Sequence, residues 1–465
     1  MQMTPNFLTP AFRWAHWKVR LQRTFTSDSR RQLIISISSL AGSGLISVAL
    51  RFIGGIIQGR FVGPEVLGHY TKYTILPGYL FFLHLGVFTS LARQYPFYIG
   101  KGERDVALEY AANALGWTRM LCAVHALIFL IPCVWAAGKG DWAAALGWGT
   151  QILLTITSLY MFYLGSTYRN SNEFVAWSKA TVLSSIVSLA FLPLVVVYQF
   201  AGVCARYSIP SVVAMLYAHF KRPLRLAATL DPKIIKKMIA FGAPLMVFAY
   251  IATSLWVAIE RSYILKMTDE ITLGIFAFAG TLCVALVTVA SSISQVFHPR
   301  IAALYGSSGK SMSVGFHYCI RSSVAGLLAM MPLVVLAYWL MDPLVTFFLP
   351  KYVQSIPIAR CLLWLSLVPV IDQPKQLLIV AKRTHLFGIS VVSSFGLFLV
   401  MLGVLAFRNG PITLKAIVLC SVTCKMASVF ISNALCWREA RKESRLLRKQ
   451  EGDGFIEPAD RGPSL

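Results

Sequence analysis

Residues 219–237 read HFKRPLRLAATLDPKIIKK, with Lys221, Arg222, Arg225, Lys233, Lys236 and Lys237 set against a single acid, Asp231. This is the longest polar interruption in the chain, and an apolar block of similar length lies on each side of it. Working outward from it, each block breaks into runs of roughly 20 apolar residues, enough to cross a ~30 Å hydrocarbon core as helix. About twelve such runs can be drawn, six before the basic stretch and six after. The expected fold is an all-α polytopic membrane protein, with two six-helix lobes around a central cavity and residues 219–237 as a cytoplasmic hinge.

Composition agrees. Of 465 residues, 57% are hydrophobic and 13% charged, and the mean hydropathy is +0.65, which excludes an ordinary soluble globular chain. The net charge of +24 would suggest nucleic acid in a soluble protein. Here its distribution carries the meaning, because about two thirds of the lysines and arginines fall in the tails and alternate loops. That asymmetry places both termini and the hinge in the cytoplasm and matches anionic membrane lipid, with no role for nucleic acid. The resulting division is a basic N-terminal tail (1–31), a first lobe (32–218), the hinge (219–237), a second lobe (238–436) and a basic C-terminal tail (437–465).

The N-terminal tail has no apolar core of the length a cleavable signal needs. Trp14, Trp17, Leu21 and Phe25 fall on one helical face with Arg13, Arg20 and Arg23 opposite, the pattern of either an interfacial helix or a disordered basic tail. The nine cysteines sit mostly inside apolar runs without a CxxC pair, so buried thiols are expected rather than a metal or disulfide framework. Pro77 and Gly86 predict a kink in helix 2, and the boundary between helices 5 and 6 near residue 200 is thin. Two lobes entering from the same membrane face form parallel repeats, a plan that transporters use with substrate between the lobes. A faint echo, Gly68-His69-Tyr70 against Gly274-Ile275-Phe276, fits that plan.

No phosphate-binding glycine loop, nucleophile elbow, zinc motif or paired-carboxylate motif is present, and the outer loops are too short to house an external catalytic domain. The chain is therefore read as a non-enzyme without a cofactor. Its informative residues are charges inside apolar runs, each costing about 2.5–3.5 kcal/mol at mid-bilayer. Lys425 lies deepest, near the middle of helix 12; Arg51 lies in helix 1 and Arg119 in helix 3. Each faces either a ligand cavity, an ion-pair partner or the interface by snorkelling. The acids are fewer: Glu260, beside Arg261 on helix 7, and Asp372, three residues before Lys375 on helix 10. Asp372 and Lys375 share a face and are expected to pair, as gating or structural residues. An excess of cations over acids suits an anionic ligand, since a desolvated phosphate needs fixed positive partners.

A run of loose motifs then acquires meaning from its order. It comprises Gly59-Arg60-Phe61-Val62-Gly63-Pro64-Glu65, Gly68, Tyr70 and Gly86 in the first half. The second half has Phe241-Gly242-Ala243-Pro244, Glu260-Arg261, Gly274-Ile275-Phe276-Ala277, Gln295-Val296-Phe297, Pro299 and Ala302, and Leu349-Pro350-Lys351-Tyr352. Over residues 33–436 the chain resembles the polysaccharide flippases of the MOP exporter superfamily, the O-antigen translocase type. That resemblance implies a twelve- to fourteen-helix transporter in a bacterial inner membrane. It would move polyprenyl-diphosphate-linked oligosaccharide to the outer leaflet by alternating access, beside polysaccharide polymerase and export proteins. It also implies a cationic cavity, for which Arg51, Arg119, Arg261 and Lys425 are the candidates, and coupling to H+ or Na+ through Glu260 and Asp372 with Lys375. Where the family commonly has Asp-Arg, this chain has Glu260-Arg261. A multidrug or other lipid exporter of the same fold, a membrane glycosyltransferase and a scaffold for glycan enzymes are the alternatives.

Overall fold

The computed structural model describes residues 27–308, 311–407, 410 and 412–453. The surface helix weighed for Arg13–Phe25 lies outside them. Among the described residues the chain is helical throughout, without a strand. Before the hinge come α1 (Ser27–Phe61), a bent α2 (Pro64–His84 and Val87–Gly100), α3 (Arg104–Gly138), α4 (Trp142–Asn170), α5 (Phe174–Tyr198) and α6 (Phe200–Phe220). After it come α7 (Pro232–Met267), α8 (Glu270–Ser307), α9 (Met312–Phe348), α10 (Pro350–Val380), α11 (Thr384–Phe407) and α12 (Leu414–Asp453).

Ten of these helices are long and apolar enough to cross a membrane, and the bent α2 makes eleven. The other, α4, is 29 residues long, and it carries Thr150, Gln151 and Thr157, all buried, which lowers its hydropathy without shortening it. Helix starts follow ordinary capping chemistry. Asp141, Asp231 and Asp269 accept hydrogen bonds from the backbone N–H groups of Ala144, Lys233 and Thr272 at 2.9, 2.8 and 2.6 Å.

Three helices depart from regularity, each for a local reason. The axis of α2 bends by 43° where Leu85 and Gly86 take positive φ, so the kink expected at Pro77 or Gly86 falls at the glycine. In α7, Ile251–Leu255 forms a π-turn. The span read as one helix over 356–380 is broken in α10. It runs through 3₁₀ turns at Pro350–Ser355 and Trp364–Leu367 and short α pieces between, with prolines that cannot donate to the preceding turn. Helices α5 and α6 meet at Gln199 alone, whose φ of 43° turns the chain back.

The two halves meet along seams of bare backbone. A Cβ on Gly242 of α7 would lie 2.0 Å from the carbonyl oxygen of Gly86, and one on Gly274 of α8 would lie 1.9 Å from that of Pro64. Only glycine permits such approach. Near the second seam His69 and Lys72 of α2 reach Glu270 of α8 at 2.9 and 2.7 Å, and Lys351 donates to the Phe61 carbonyl at the end of α1. Several of the loose motif residues, Pro64, Gly68, Gly86, Gly242, Gly274 and Lys351 among them, thus lie where the halves touch.

The connector between α6 and α7 is fastened rather than free. Between α6 and α7 the chain runs without regular structure along α3, where the Thr229 N–H donates to Ala112 O at 3.2 Å and the Asp231 N–H to Asn113 Oδ1 at 2.6 Å. Leu224, Leu226 and Ala228 pack on the apolar core built by α2, α3 and α4. At the other end, α12 continues past its apolar stretch. Its Cys436 and Ala440 are buried on Ile301, Met312 and Leu377, while Arg438, Arg441, Lys442 and Arg445 remain exposed.

Candidate functional site

The irregular parts of α7 and α10 face each other across a hollow of about 630 Å³, closed by α2, α8, α11 and α12. Non-helical backbone at membrane depth is tolerated where it lines a cavity, because its freed polar groups then find water or ligand. The π-turn contributes Ala252, Thr253 and Ser254, and the break in α10 contributes Pro369 and Asp372. Arg261 of α7, Lys375 of α10 and Lys425 of α12 bring three cations to its lining.

Each charge is held differently. Lys425 Nζ lies 3.9 Å from Glu260 Oε2 and 5.4 Å from the centre of the Trp256 ring. Trp256 is fixed: its ring stacks on Phe398 at 4.6 Å and its Nε1–H donates to Ser421 Oγ at 2.9 Å. Glu260 is 2% exposed, and its Oε1 has no hydrogen-bond partner. A gap of 3.9 Å exceeds a direct hydrogen bond, so the pair attracts without being locked. Asp372 accepts from Ser432 Oγ at 2.6 Å and stands 3.6 Å from Lys375 Nζ, which also lies 4.7 Å from the Phe387 ring. Arg261 donates from Nη1 to Thr74 Oγ1 of α2 at 2.8 Å, tying the hollow to the opposite half; its Nε is buried without a partner.

Of the residues singled out in the sequence, Arg261, Asp372, Lys375 and Lys425 thus line one hollow, with Glu260 behind Lys425. Arg51 and Arg119 stand apart. Arg51 is exposed on α1 and donates from Nε to Ser185 Oγ of α5 at 3.4 Å. Arg119 is exposed on α3, within electrostatic reach of Tyr160, Tyr163 and His219. Sequence reasoning passed over Arg206. It is 4% exposed in α6, donates from Nε to the Ser188 carbonyl at 3.3 Å, and is admitted by the absent side chain of Gly54. The criterion that selected Arg51, a cation inside an apolar run, selects Arg206 equally. Trp256 carried no such mark.

No protein-family model matches the sequence, and no curated protein does. Solved structures do. The chain superposes with a TM-score of 0.63 on an inward-facing multidrug resistance MATE family transporter of the MOP superfamily, at 13% identity over 86% of this chain and 96% of that one. The two chains share a fold. An outward-facing MATE transporter gives 0.61 at 14% identity, over 88% and 96% of the two chains. The lipid II flippase MurJ, in an inward closed conformation, also gives 0.61 at 14% identity, covering 90% of this chain and 93% of MurJ. At such identities the likeness is one of architecture, that of a multi-pass helical membrane protein, and most of the residues that line the hollow come from the second half.

Proposed function

We propose that this protein flips a polyprenyl-diphosphate-linked oligosaccharide from the cytoplasmic to the outer leaflet of a bacterial inner membrane by alternating access, for O-antigen or exopolysaccharide assembly. The observation that carries this reading is the hollow with three cations on its wall, Arg261, Lys375 and Lys425, against one carboxylate on that wall and one behind it. A desolvated diphosphate needs fixed positive partners, whereas a cationic drug would be repelled. A space of about 630 Å³ suits a headgroup with its first sugars and leaves the lipid tail in the bilayer. The flippase among the similar structures supports the same reading.

In this scheme Arg261 and Lys425 hold the diphosphate, and Arg51 and Arg119 serve its path along the first half. Glu260 and Asp372, with Lys375, couple the cycle to H+ or Na+. Glu260 suits that role because one of its oxygens is unpartnered and its cation is loosely held. Residues 32–218 and 238–436 move as the two lobes about the hinge 219–237, with both termini cytoplasmic and the basic tails against anionic lipid. Polymerase and export proteins would receive the product.

The test is to extract polyprenyl-linked oligosaccharide from cells lacking the protein and determine which membrane face it occupies. Completed repeat units accumulating on the cytoplasmic face, restored by wild type and not by Lys425→Ala or Arg261→Ala, are expected. Normal outward delivery would sink the proposal. The second reading, export of drugs or another lipid, draws on the MATE likeness. Drug resistance that depends on Glu260, with surface glycan intact, would favour it.

A further inference from the structure

A different set of side chains gathers in the first half, where α4 and α6 end beside the hinge. Tyr160 and Tyr163 are three residues apart on α4 and so share a face; their rings lie within 17° of parallel at 6.1 Å. His219, near the end of α6, brings Nδ1 to 2.7 Å from the Tyr160 hydroxyl. Arg222, in the hinge, reaches back with Nη1 to 2.7 Å from His219 Nε2 and 2.9 Å from the His219 carbonyl. Arg119 of α3 lies within electrostatic reach of Tyr160, Tyr163 and His219.

The hydrogen-bond directions in this group are forced. A guanidinium only donates, so His219 Nε2 accepts from Arg222 and the ring proton sits on Nδ1. The imidazole is then neutral, and Nδ1–H donates to the Tyr160 oxygen. That leaves the Tyr160 hydroxyl proton free to donate elsewhere. The Tyr163 hydroxyl is buried with no partner, in a residue 2% exposed. Among the described residues no carboxylate lies within ion-pair distance of Arg119 or Arg222. The cluster therefore offers positive charge without a carboxylate, together with a Tyr160 hydroxyl proton and a Tyr163 hydroxyl that no protein group uses. A phosphate is the complement: anionic, and an acceptor at every peripheral oxygen.

We infer that this cluster is a second anion site, taking a phosphate-bearing headgroup on Arg119 and Arg222 with the Tyr160 and Tyr163 hydroxyls as donors. It shares no residue with the hollow around Lys425. The proposed function supplies only the expectation that the headgroup is a glycan carrier's diphosphate; phosphate recognition stands without it.

The experiment is native mass spectrometry of the full chain in neutral-lipid nanodiscs, titrated separately with a polyprenyl diphosphate and with phosphatidylglycerol. Two diphosphate adducts are expected. Lys425→Ala should weaken one, and Arg119→Ala or Arg222→Ala the other, by about ten-fold each. Tyr163→Phe keeps the ring and removes a hydroxyl that no protein group uses; it should leave the unfolding temperature unchanged and weaken the second adduct about three-fold. Arg225→Ala, at an exposed hinge cation nearby, serves as the control. Preference for the diphosphate assigns the site to a glycan carrier, and equal, arginine-dependent binding of phosphatidylglycerol assigns it to bilayer lipid; either supports a phosphate site. A second adduct untouched by Arg119→Ala and Arg222→Ala, or weakened as much by Arg225→Ala, overturns it. If only the Lys425-dependent adduct is missing, the flippase reading suffers and this one does not.

Discussion

The two halves hold their intramembrane cations by different means. In the second half carboxylates hold the two lysines, Glu260 by Lys425 at 3.9 Å and Asp372 by Lys375 at 3.6 Å, while Arg261 rests on the Thr74 hydroxyl. In the first half Arg51 and Arg206 have neutral acceptors, a hydroxyl and a backbone carbonyl. A carboxylate can be protonated or can take a cation, so the charge in the second half can be switched. A neutral acceptor leaves a guanidinium charged at every working pH. The first half is accordingly a fixed positive surface, and the second an adjustable one.

The sharpest way to break this contrast is Lys425→Ala. It strands a carboxylate in a residue 2% exposed, and the expected cost is about 3 kcal/mol in equilibrium unfolding, the low end for breaking a buried pair because Lys425 keeps some access to solvent. Glu260→Gln combined with Lys425→Met should restore most of that stability without restoring transport. A stable single variant would show that Glu260 is already neutral. Next in size, Asp372→Asn keeps an acceptor for Ser432 and loses only the pairing with Lys375, so a loss of about 1 kcal/mol is expected. Its more telling effect is on coupling: transport by this variant should no longer follow the imposed ion gradient in proteoliposomes. The smallest change is expected at Arg206→Met, where no carboxylate is stranded and unfolding should shift by less than about 1 kcal/mol. A loss as large as that of Lys425→Ala would erase the distinction between the halves.

The architecture was legible because bilayer thickness imposes it on the sequence: apolar runs of the right length, a basic interruption and alternating loop charge need no tertiary information. Even α4, whose Thr150, Gln151 and Thr157 dilute its hydropathy, showed through by length and position. The hollow was half legible. Charges in apolar runs pointed to Arg261, Lys425, Glu260 and Asp372, yet nothing local says that Lys425 meets a glutamate 165 positions earlier. That pairing is made by the rotation of α12 against α7. The breaks in α10 were hidden for a related reason, since prolines within a span permit either a kink or a broken helix, and packing decides. Arg206 was hidden by nothing physical; it lies in α6, inside an apolar run, as Arg51 does in α1.

The fastening of residues 224–231 to α3 has a consequence for how the chain can be divided. Cut after Lys221, the second fragment would carry an apolar strap that fits the first, with backbone contacts to Ala112 and Asn113 already shaped for it. Cut after Asp231, that strap would stay with its own groove, and the fragments would share the glycine seams and the side-chain contacts between the halves, such as Arg261 with Thr74 and Glu270 with Lys72. Co-expressed halves should therefore reassemble readily from the first cut and poorly from the second. The connector would then be a recognition element as well as a covalent link.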